Sequence, residues 1–194
     1  MVDDVGRLPD GLPEPIDDGA ADGLVAKALP SVALPTSAGA ELRLDRLTRP
    51  AVLFAFPRAG GPGADPLGGW DSWNAIPGAR GCTPQACGFR DLHAEFERHG
   101  HDVFGVSTQP VADLAEIAAR LELPYALLSD VEGRLHRELG LPTFVVQGVT
   151  LLRRMTLFLA AGRIRHVLYP VFPPDQSAEQ ALRWLTGKGL PGRL

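Results

Sequence analysis

Residues 51–56, which read Ala-Val-Leu-Phe-Ala-Phe, are the feature that most constrains how this chain folds. A strand at the surface of a sheet alternates apolar and polar residues, whereas an uninterrupted apolar run predicts a central strand buried on both faces. The chain has 194 residues, and a domain of about that size buries roughly 70% of the surface that its unfolded chain exposes. The sequence therefore predicts one domain, over residues 24–194, that folds without a disulfide or a structural metal.

Strand-like and helix-like patterns alternate along the rest of the chain. The predicted strands cover residues 31–34, 41–44, 51–56, 102–107, 126–128, 155–160 and 164–169. The predicted helices cover residues 83–98, 111–121, 131–139 and 178–185, and residues 143–146 form a short strand or an extended arm. This order predicts an α/β protein with a mixed central sheet flanked by helices and an N-terminal β-hairpin. The thioredoxin-like fold has this order at its core.

Residues 1–23 differ from the rest of the chain in charge and in proline content. Residues 1–22 carry seven acids against one arginine, while the remainder of the chain is close to neutral. Prolines lack a backbone donor and the carboxylates repel one another. We therefore expect an irregular acidic N-terminal extension, which stays loose unless a basic groove of the domain holds it.

The composition excludes several classes of function. No basic stripe marks a nucleic-acid-binding surface, and no apolar run approaches the roughly 20 residues that a membrane helix needs. The opening residues Met-Val-Asp-Asp lack the basic and apolar regions of a signal peptide. We therefore expect a cytoplasmic protein, in which paired cysteines are catalytic or metal-binding rather than structural.

The two cysteines of the chain, Cys82 and Cys87, lie where a glycine-rich loop meets a predicted helix. Pro84 suits the first turn, because its missing N–H costs nothing there. A thiol at Cys82 faces unpaired backbone N–H groups and the positive end of the helix dipole, which favour the nucleophilic thiolate. A zinc site is disfavoured because two further ligands would have to come from nearby histidines. Cys87, beside apolar residues, also fits a buried and inert thiol.

The segment 82–91, CTPQACGFRD, resembles the active-site segment of peroxiredoxins of the Q (bacterioferritin-comigratory) subfamily, an atypical two-cysteine type. The resemblance extends over about residues 29–185, and its clearest stretches are 29–35, 51–58, 103–108, 127–130 and 139–144. It implies that Cys82 is the peroxidatic cysteine and that Cys87 is the resolving cysteine, which closes a disulfide with it. It also implies a centre without metal, haem or flavin.

Arg154 resembles the active-site arginine of that family, on the strand beside the cysteine. An arginine there would hold the thiolate and aim donors at the peroxide oxygens. Arg153 is a competitor, but side chains alternate along a strand, so only one of the two faces inward. We favour Arg154 because Thr156 and Phe158 would share its face.

The active-site loop departs from the family pattern, which is Pro-x-x-x-Thr-x-x-Cys with the threonine hydroxyl bonded to the peroxide. Here Ala79 stands three residues before Cys82. Pro57 matches the proline by its strand context, 25 positions before Cys82 rather than seven, so the loop is longer by 18 residues. We therefore expect Pro57 and Gly81 to belong to the peroxide-site loop, with another donor in place of the threonine.

The resemblance implies a thiol-dependent peroxidase that reduces hydrogen peroxide or small organic hydroperoxides. Thioredoxin or a similar dithiol reductant would recycle it, and either a monomer or a homodimer would suffice. One alternative is a thioredoxin-like disulfide reductase, which would need Cys-x-x-Cys, although Pro142-Thr143 resembles the proline motif of that fold. The other is a redox sensor or binding module, suggested by Trp70, Trp73 and Ile76 in the long loop. The same three side chains also fit a lid packed on its own domain.

Overall fold

The computed structural model describes residues 8–61 and 63–188. The strands are β1 (Ala33–Pro35), β2 (Glu41–Arg43), β3 (Ala51–Ala55), β4 (Asp102–Ser107), β5 (Leu127–Ser129), β6 (Thr143–Val146), β7 (Val149–Leu152), β8 (Met155–Ala160) and β9 (Arg163–Leu168). The helices are α1 (Gly69–Asn74), α2 (Cys82–Asp91), α3 (His93–Arg98), α4 (Val111–Arg120), α5 (Arg134–Leu139) and α6 (Ser177–Leu185). Within the described ranges no helix has both the length and the apolar character needed to cross a membrane.

Five strands form the central sheet, in the order β5-β4-β3-β8-β9. β3 runs parallel to β4, and β4 runs parallel to β5, whereas β8 is antiparallel to both β3 and β9. The first hairpin, β1–β2, and the pair β6–β7 form two small antiparallel sheets of their own. The predicted thioredoxin-like architecture, with a mixed sheet and an N-terminal hairpin, is therefore confirmed.

The side chains of β3 alternate between two apolar cores, one on each face of the sheet. Ala51, Leu53 and Ala55 pack in one core, and Val52 and Phe54 pack in the other. The second core contains α2, whose Phe89 ring stacks on the Phe54 ring with the centroids 4.3 Å apart. Because every residue of β3 is buried, this strand gives α2 a fixed platform.

Three local features differ from the sequence prediction. The helix predicted over residues 83–98 is two helices that break at Leu92, and the pattern hides the break because Phe89 and Phe96 enter the same core. The long loop contains the short helix α1, whose glycine-rich surroundings carry no helical period. Residues 143–146 form a strand, which was one of the two predicted alternatives, but the strand that pairs with it, β7, was not predicted.

The N-terminal extension lies partly within the described residues, since residues 1–7 fall outside them. Residues 8–23 contain turns but neither helix nor strand, as an irregular segment should. The Asp18 carboxylate accepts from Arg153 Nη1 at 2.9 Å and from the Tyr169 hydroxyl at 2.9 Å. The extension is therefore fastened to the domain at Asp18. A basic side chain of the domain, Arg153, holds this part of the extension, which is not a loose tail.

Candidate active site

Cys82 is the first residue of α2, and only 4% of it is exposed. Gly81, the residue before it, has φ of 98°, a left-handed conformation that glycine adopts without strain. A Cβ atom at Gly81 would also collide with the side chains of Pro174 and Leu8. Glycine is therefore required at this position, and the sharp turn that it makes sets the Cys82 thiol at the N-terminal end of α2.

Arg154 reaches the Cys82 sulfur from the two-residue link between β7 and β8. Its Nη2 lies 3.3 Å from Cys82 Sγ and donates to the carbonyl oxygens of Gly78, Ala79 and Arg80 at 3.2, 3.4 and 3.1 Å. Arg154 is 3% exposed, and no carboxylate of residues 8–61 or 63–188 forms an ion pair with it. The guanidinium thus faces a sulfur atom rather than an acid.

Gln85, which the sequence did not point to, links Arg154 to the start of α6. Its Oε1 accepts from Arg154 Nη1, and its Nε2 donates to Ser177 Oγ at 3.1 Å. Ser177 Oγ lies 3.5 Å from Thr156 Oγ1 in turn. Gln85 is fully buried. A polar residue on the apolar face of α2 is the one feature of the sequence that could have identified it. These bonds fix the plane of the guanidinium at the sulfur.

Arg153 points the opposite way, as the alternation predicted. Its Nη1 binds Asp18 and lies 3.2 Å from the Tyr169 hydroxyl, and its Nε donates to the Thr143 carbonyl at 3.2 Å. Of the two neighbouring arginines, only Arg154 contacts Cys82. Thr156 and Phe158 lie on the α2 side with it, whereas Met155 and Leu157 belong to the other core.

Cys87 lies on the second turn of the same helix and is half-buried, and both thiols are free. Next to it, the buried Tyr125 hydroxyl donates to the Ala86 carbonyl at 2.6 Å. Burial raises the pKa of Tyr125, and negative charge at Cys87 raises it further, so this phenol stays a proton donor. Residues five apart on a helix have Cα atoms roughly 8.7 Å apart, whereas a disulfide needs less than about 7 Å. α2 must therefore unwind before the two sulfurs can bond.

A cavity of about 440 Å³ opens onto Cys82. Most of its wall comes from residues 58–81, which we call the insert, and the rest comes from the segment around the first turns of α4. The lining residues that carry polar or aromatic side chains are Arg58, Asp65, Trp70, Trp73, Arg80, Thr83, Gln109, Asp113 and Glu116. The volume lies within the range of about 300–1,000 Å³ that small-molecule sites occupy.

The insert is packed against its own domain. Trp73 is 3% exposed and forms a small apolar cluster with Ala79 and Leu151. Near the other end, the Gln109 side chain bonds both the N–H and the carbonyl of Ala59, at 2.8 and 3.0 Å. These contacts make the insert a fixed wall over Cys82, so Trp73 belongs to a lid and not to an exposed partner surface.

The two residues predicted for the peroxide-site loop have different places. Gly81 lines the cavity, whereas Pro57 is buried at the end of β3 and its carbonyl accepts from Ser107 Oγ at 3.0 Å. Ala79, at the position of the family threonine, is buried and offers only its carbonyl. The cavity does contain one threonine within the described chain, Thr83, directly after Cys82.

Comparisons with known proteins agree with this geometry. The family model described as Redoxin matches residues 24–182. Peroxiredoxin Q, chloroplastic, from Gentiana triflora is 34% identical over 106 residues, which are 54% of this chain and 48% of that protein. Peroxiredoxin bcp1 from Schizosaccharomyces pombe is 30% identical over 133 residues, covering 66% of this chain and 59% of that one. The match thus spans about half the length of the plant relative.

Among solved structures, the peroxidoxin BcpB from Mycobacterium tuberculosis superposes with a TM-score of 0.67. It is 28% identical to this chain, and the alignment covers 86% of this chain and 99% of that one. The family match over residues 24–182 includes the central sheet, α2 and Arg154. This chain therefore belongs to the Redoxin family, and within it the chain is similar to peroxiredoxin Q proteins.

Proposed function

We propose that this protein is a thiol-dependent peroxidase that reduces hydrogen peroxide or organic hydroperoxides through Cys82. The observation that carries the proposal is the contact of 3.3 Å between Arg154 Nη2 and Cys82 Sγ, at the floor of a cavity and without a carboxylate on the guanidinium. A fixed cation beside the sulfur stabilises the thiolate, and the thiolate is the nucleophile in peroxide reduction.

In the first step the Cys82 thiolate attacks one peroxide oxygen. A sulfur–oxygen bond forms, the oxygen–oxygen bond breaks, and the leaving oxygen takes a proton and departs as water or an alcohol. Cys82 is thereby oxidised by two electrons to a sulfenic acid. Thr83 and the backbone N–H groups of the first turn of α2 supply donors in place of the family threonine, because N–H groups there have no acceptor within the helix.

In the second step Cys87 resolves the sulfenic acid. Its sulfur attacks the Cys82 sulfur, the hydroxyl group leaves with the Cys87 proton as water, and a disulfide closes between the two residues. The helical separation of the two cysteines means that α2 unwinds between the first and second steps.

An external dithiol then returns the disulfide to two thiols through a mixed disulfide. We propose thioredoxin or a similar protein as this donor, and the cytoplasm as the location, because the cycle consumes reducing equivalents. The relationship to peroxiredoxin Q proteins supports the donor class. Neither step needs a second chain, so a monomer suffices.

Peroxide consumption by Cys82→Ser, Cys87→Ser and the parent protein, with thioredoxin as donor, tests the proposal. Cys82→Ser should lose turnover, because a hydroxyl is not ionised near neutral pH. Cys87→Ser should consume about one peroxide per chain and stop at the sulfenic acid, which a dimedone adduct and its mass would identify. Full turnover by Cys82→Ser would refute the assignment of the nucleophile.

An insulin-reduction assay addresses the disulfide reductase alternative. In a disulfide reductase with Cys-x-x-Cys the two cysteines bond without unwinding a helix. Here Cys82 and Cys87 lie on one continuous helix and span six residues of it. We expect no insulin reduction at protein concentrations that give rapid peroxide turnover.

A further inference from the structure

The insert buries a positive charge beside Cys82 for which residues 8–61 and 63–188 provide no carboxylate. Arg80 is only 8% exposed and lines the cavity. Its Nη1 is buried without a hydrogen-bond partner, and no acid of the described residues forms an ion pair with it. A buried charge without a partner is costly, because water that would solvate it has been removed.

The remaining charges of the cavity are already paired or lie at its edge. Asp113 faces Arg58 with 3.6 Å between nitrogen and oxygen, and Glu116 pairs with Arg120 at 2.7 Å. Asp65 is exposed at the rim. Among the buried charged side chains that line the cavity in the described chain, Arg80 therefore stands without a carboxylate partner.

Arg80 is also held in place before any ligand arrives. Its guanidinium lies over the Trp70 ring, 4.1 Å from the ring centroid. Such stacking orients the planar group, and an oriented guanidinium can donate two parallel bonds to a carboxylate. The apolar walls next to it, from Trp70, Trp73, Ala64 and Pro66, suit a hydrocarbon body.

We propose that the insert forms an anion subsite at Arg80, which selects organic hydroperoxides that carry a carboxylate. The carboxylate binds the Arg80 guanidinium, the aryl or short alkyl body lies against the tryptophans, and the peroxide group reaches Cys82. This inference deepens the proposed peroxidase function and rests on it. A charge-assisted bond in a site of low water content is worth about ten- to a hundredfold in affinity.

The test compares cumene hydroperoxide with its para-carboxylate derivative, since the two differ only in the charged group. Stopped-flow tryptophan fluorescence gives the second-order rate of Cys82 oxidation for each compound. The parent protein should prefer the carboxylate by about tenfold or more. Arg80→Met should lose that preference, and Arg80→Lys should keep part of it, because the charge remains but the planar fork does not.

Arg58→Met is the matched control, because it removes a positive charge from the same cavity while Arg80 remains. It should retain most of the preference. Equal rates for the two hydroperoxides with the parent protein would overturn the inference. A preference for the carboxylate that survives in folded Arg80→Met would also overturn it. The same holds if Arg58→Met removes the preference as completely as Arg80→Met does.

Calorimetry measures the affinity of the parent protein for 4-isopropylbenzoate and for the uncharged 4-isopropylbenzamide. This measurement tests the anion subsite separately from the peroxidase activity, and it needs no variant. The parent protein should bind the benzoate at least about tenfold more tightly than the amide; equal binding overturns the subsite. If no hydroperoxide, including hydrogen peroxide, oxidises Cys82, the peroxidase proposal fails. If cumene hydroperoxide reacts as fast as its carboxylate derivative, only the anion subsite fails.

Discussion

Arg154 distributes its donors between the Cys82 sulfur and the loop that carries it. One nitrogen, Nη2, contacts Cys82 Sγ and three consecutive carbonyl oxygens, and the other, Nη1, binds Gln85. The arginine therefore does two things at once: it places a positive charge beside the sulfur and holds the end of the insert in place. A lysine has no planar fork and would not reproduce both contacts.

At the scale of the single residue, we predict that Arg154→Met slows the oxidation of Cys82 by hydrogen peroxide about a hundredfold, since one preorganised donor at a reacting centre has roughly that value. Stopped-flow fluorescence measures the rate. Arg153→Met removes the same charge one position away and should have a much smaller effect. The reverse ranking would mean that Arg153 serves the sulfur.

The proposed cycle requires a helix α2 that is stable enough to hold Cys82 and weak enough to release Cys87. Its apolar face is fixed by the Phe89 and Phe54 stack, while the Tyr125 hydroxyl fastens the Ala86 carbonyl from outside the helix. Unwinding the turns between the cysteines breaks the Tyr125 bond. This hydroxyl therefore opposes disulfide formation without contacting either sulfur in the reaction.

At the scale of the element, we predict that Tyr125→Phe speeds closure of the Cys82–Cys87 disulfide by about two- to tenfold, because one hydrogen bond contributes about 0.5–1.5 kcal/mol. The ring remains, so its edge contact with Phe54 is kept. Rapid acid quench and mass spectrometry measure the closure. The preceding oxidation of Cys82 serves as the internal control, and slower closure would contradict the prediction.

At the scale of the whole molecule, two segments outside the sheet enclose the site. The insert covers Cys82 from one side through Trp73, and the N-terminal extension covers the far side of the arginine pair through Asp18. A second cavity, of about 340 Å³, lies between the extension and Arg154. Arg154 is thus enclosed by the insert and the N-terminal extension, two segments that lie outside the central sheet.

We predict that Trp73→Ala lowers the free energy of unfolding by roughly 3–5 kcal/mol, as removal of a buried aromatic side chain does. Trp70→Ala should cost less, because Trp70 is only half-buried. Urea denaturation followed by circular dichroism compares the two. If Trp70→Ala proves the more destabilising, the insert is not held by the cluster around Trp73.

The attachment of the extension should depend on pH. The pKa of Asp18 lies below its ordinary value of 3.8, because the Tyr169 hydroxyl and the Ala20 N–H donate to the carboxylate and because Arg153 is positively charged. A lowered pKa means that the contact is fully present above pH 3.8 and is lost as the pH falls through the lower, folded-state value.

We therefore predict faster hydrogen exchange in residues 14–22 when the pH is taken below 3.8, after correction for intrinsic exchange. Asp18→Asn should produce faster exchange already at neutral pH. Asp10→Asn, which removes an equal charge from the same extension, is the control. Identical exchange in Asp18→Asn and the parent would show that the carboxylate does not hold the segment.

The sequence by itself predicted the central strand of the sheet and the position of Cys82 at the start of a helix. The apolar run of residues 51–56 predicted a central strand, and Gly81 before Cys82 with Pro84 after it predicted the start of a helix, because these patterns act over a few neighbouring residues. The family resemblance and the face shared with Thr156 and Phe158 favoured Arg154 over Arg153, although both arginines lie in the link before β8 and not on a strand.

Only the tertiary structure decided how the long loop and the N-terminal extension are used. The burial of Trp73 depends on Leu151, the bonds of Gln85 depend on Ser177, and the attachment of Asp18 depends on Arg153 and Tyr169. Arg80 looks like any surface arginine until the insert packs down and removes its water. These partners are distant in sequence. A local sequence pattern does not show which segments will contact each other, because such contacts depend on how whole helices and strands pack.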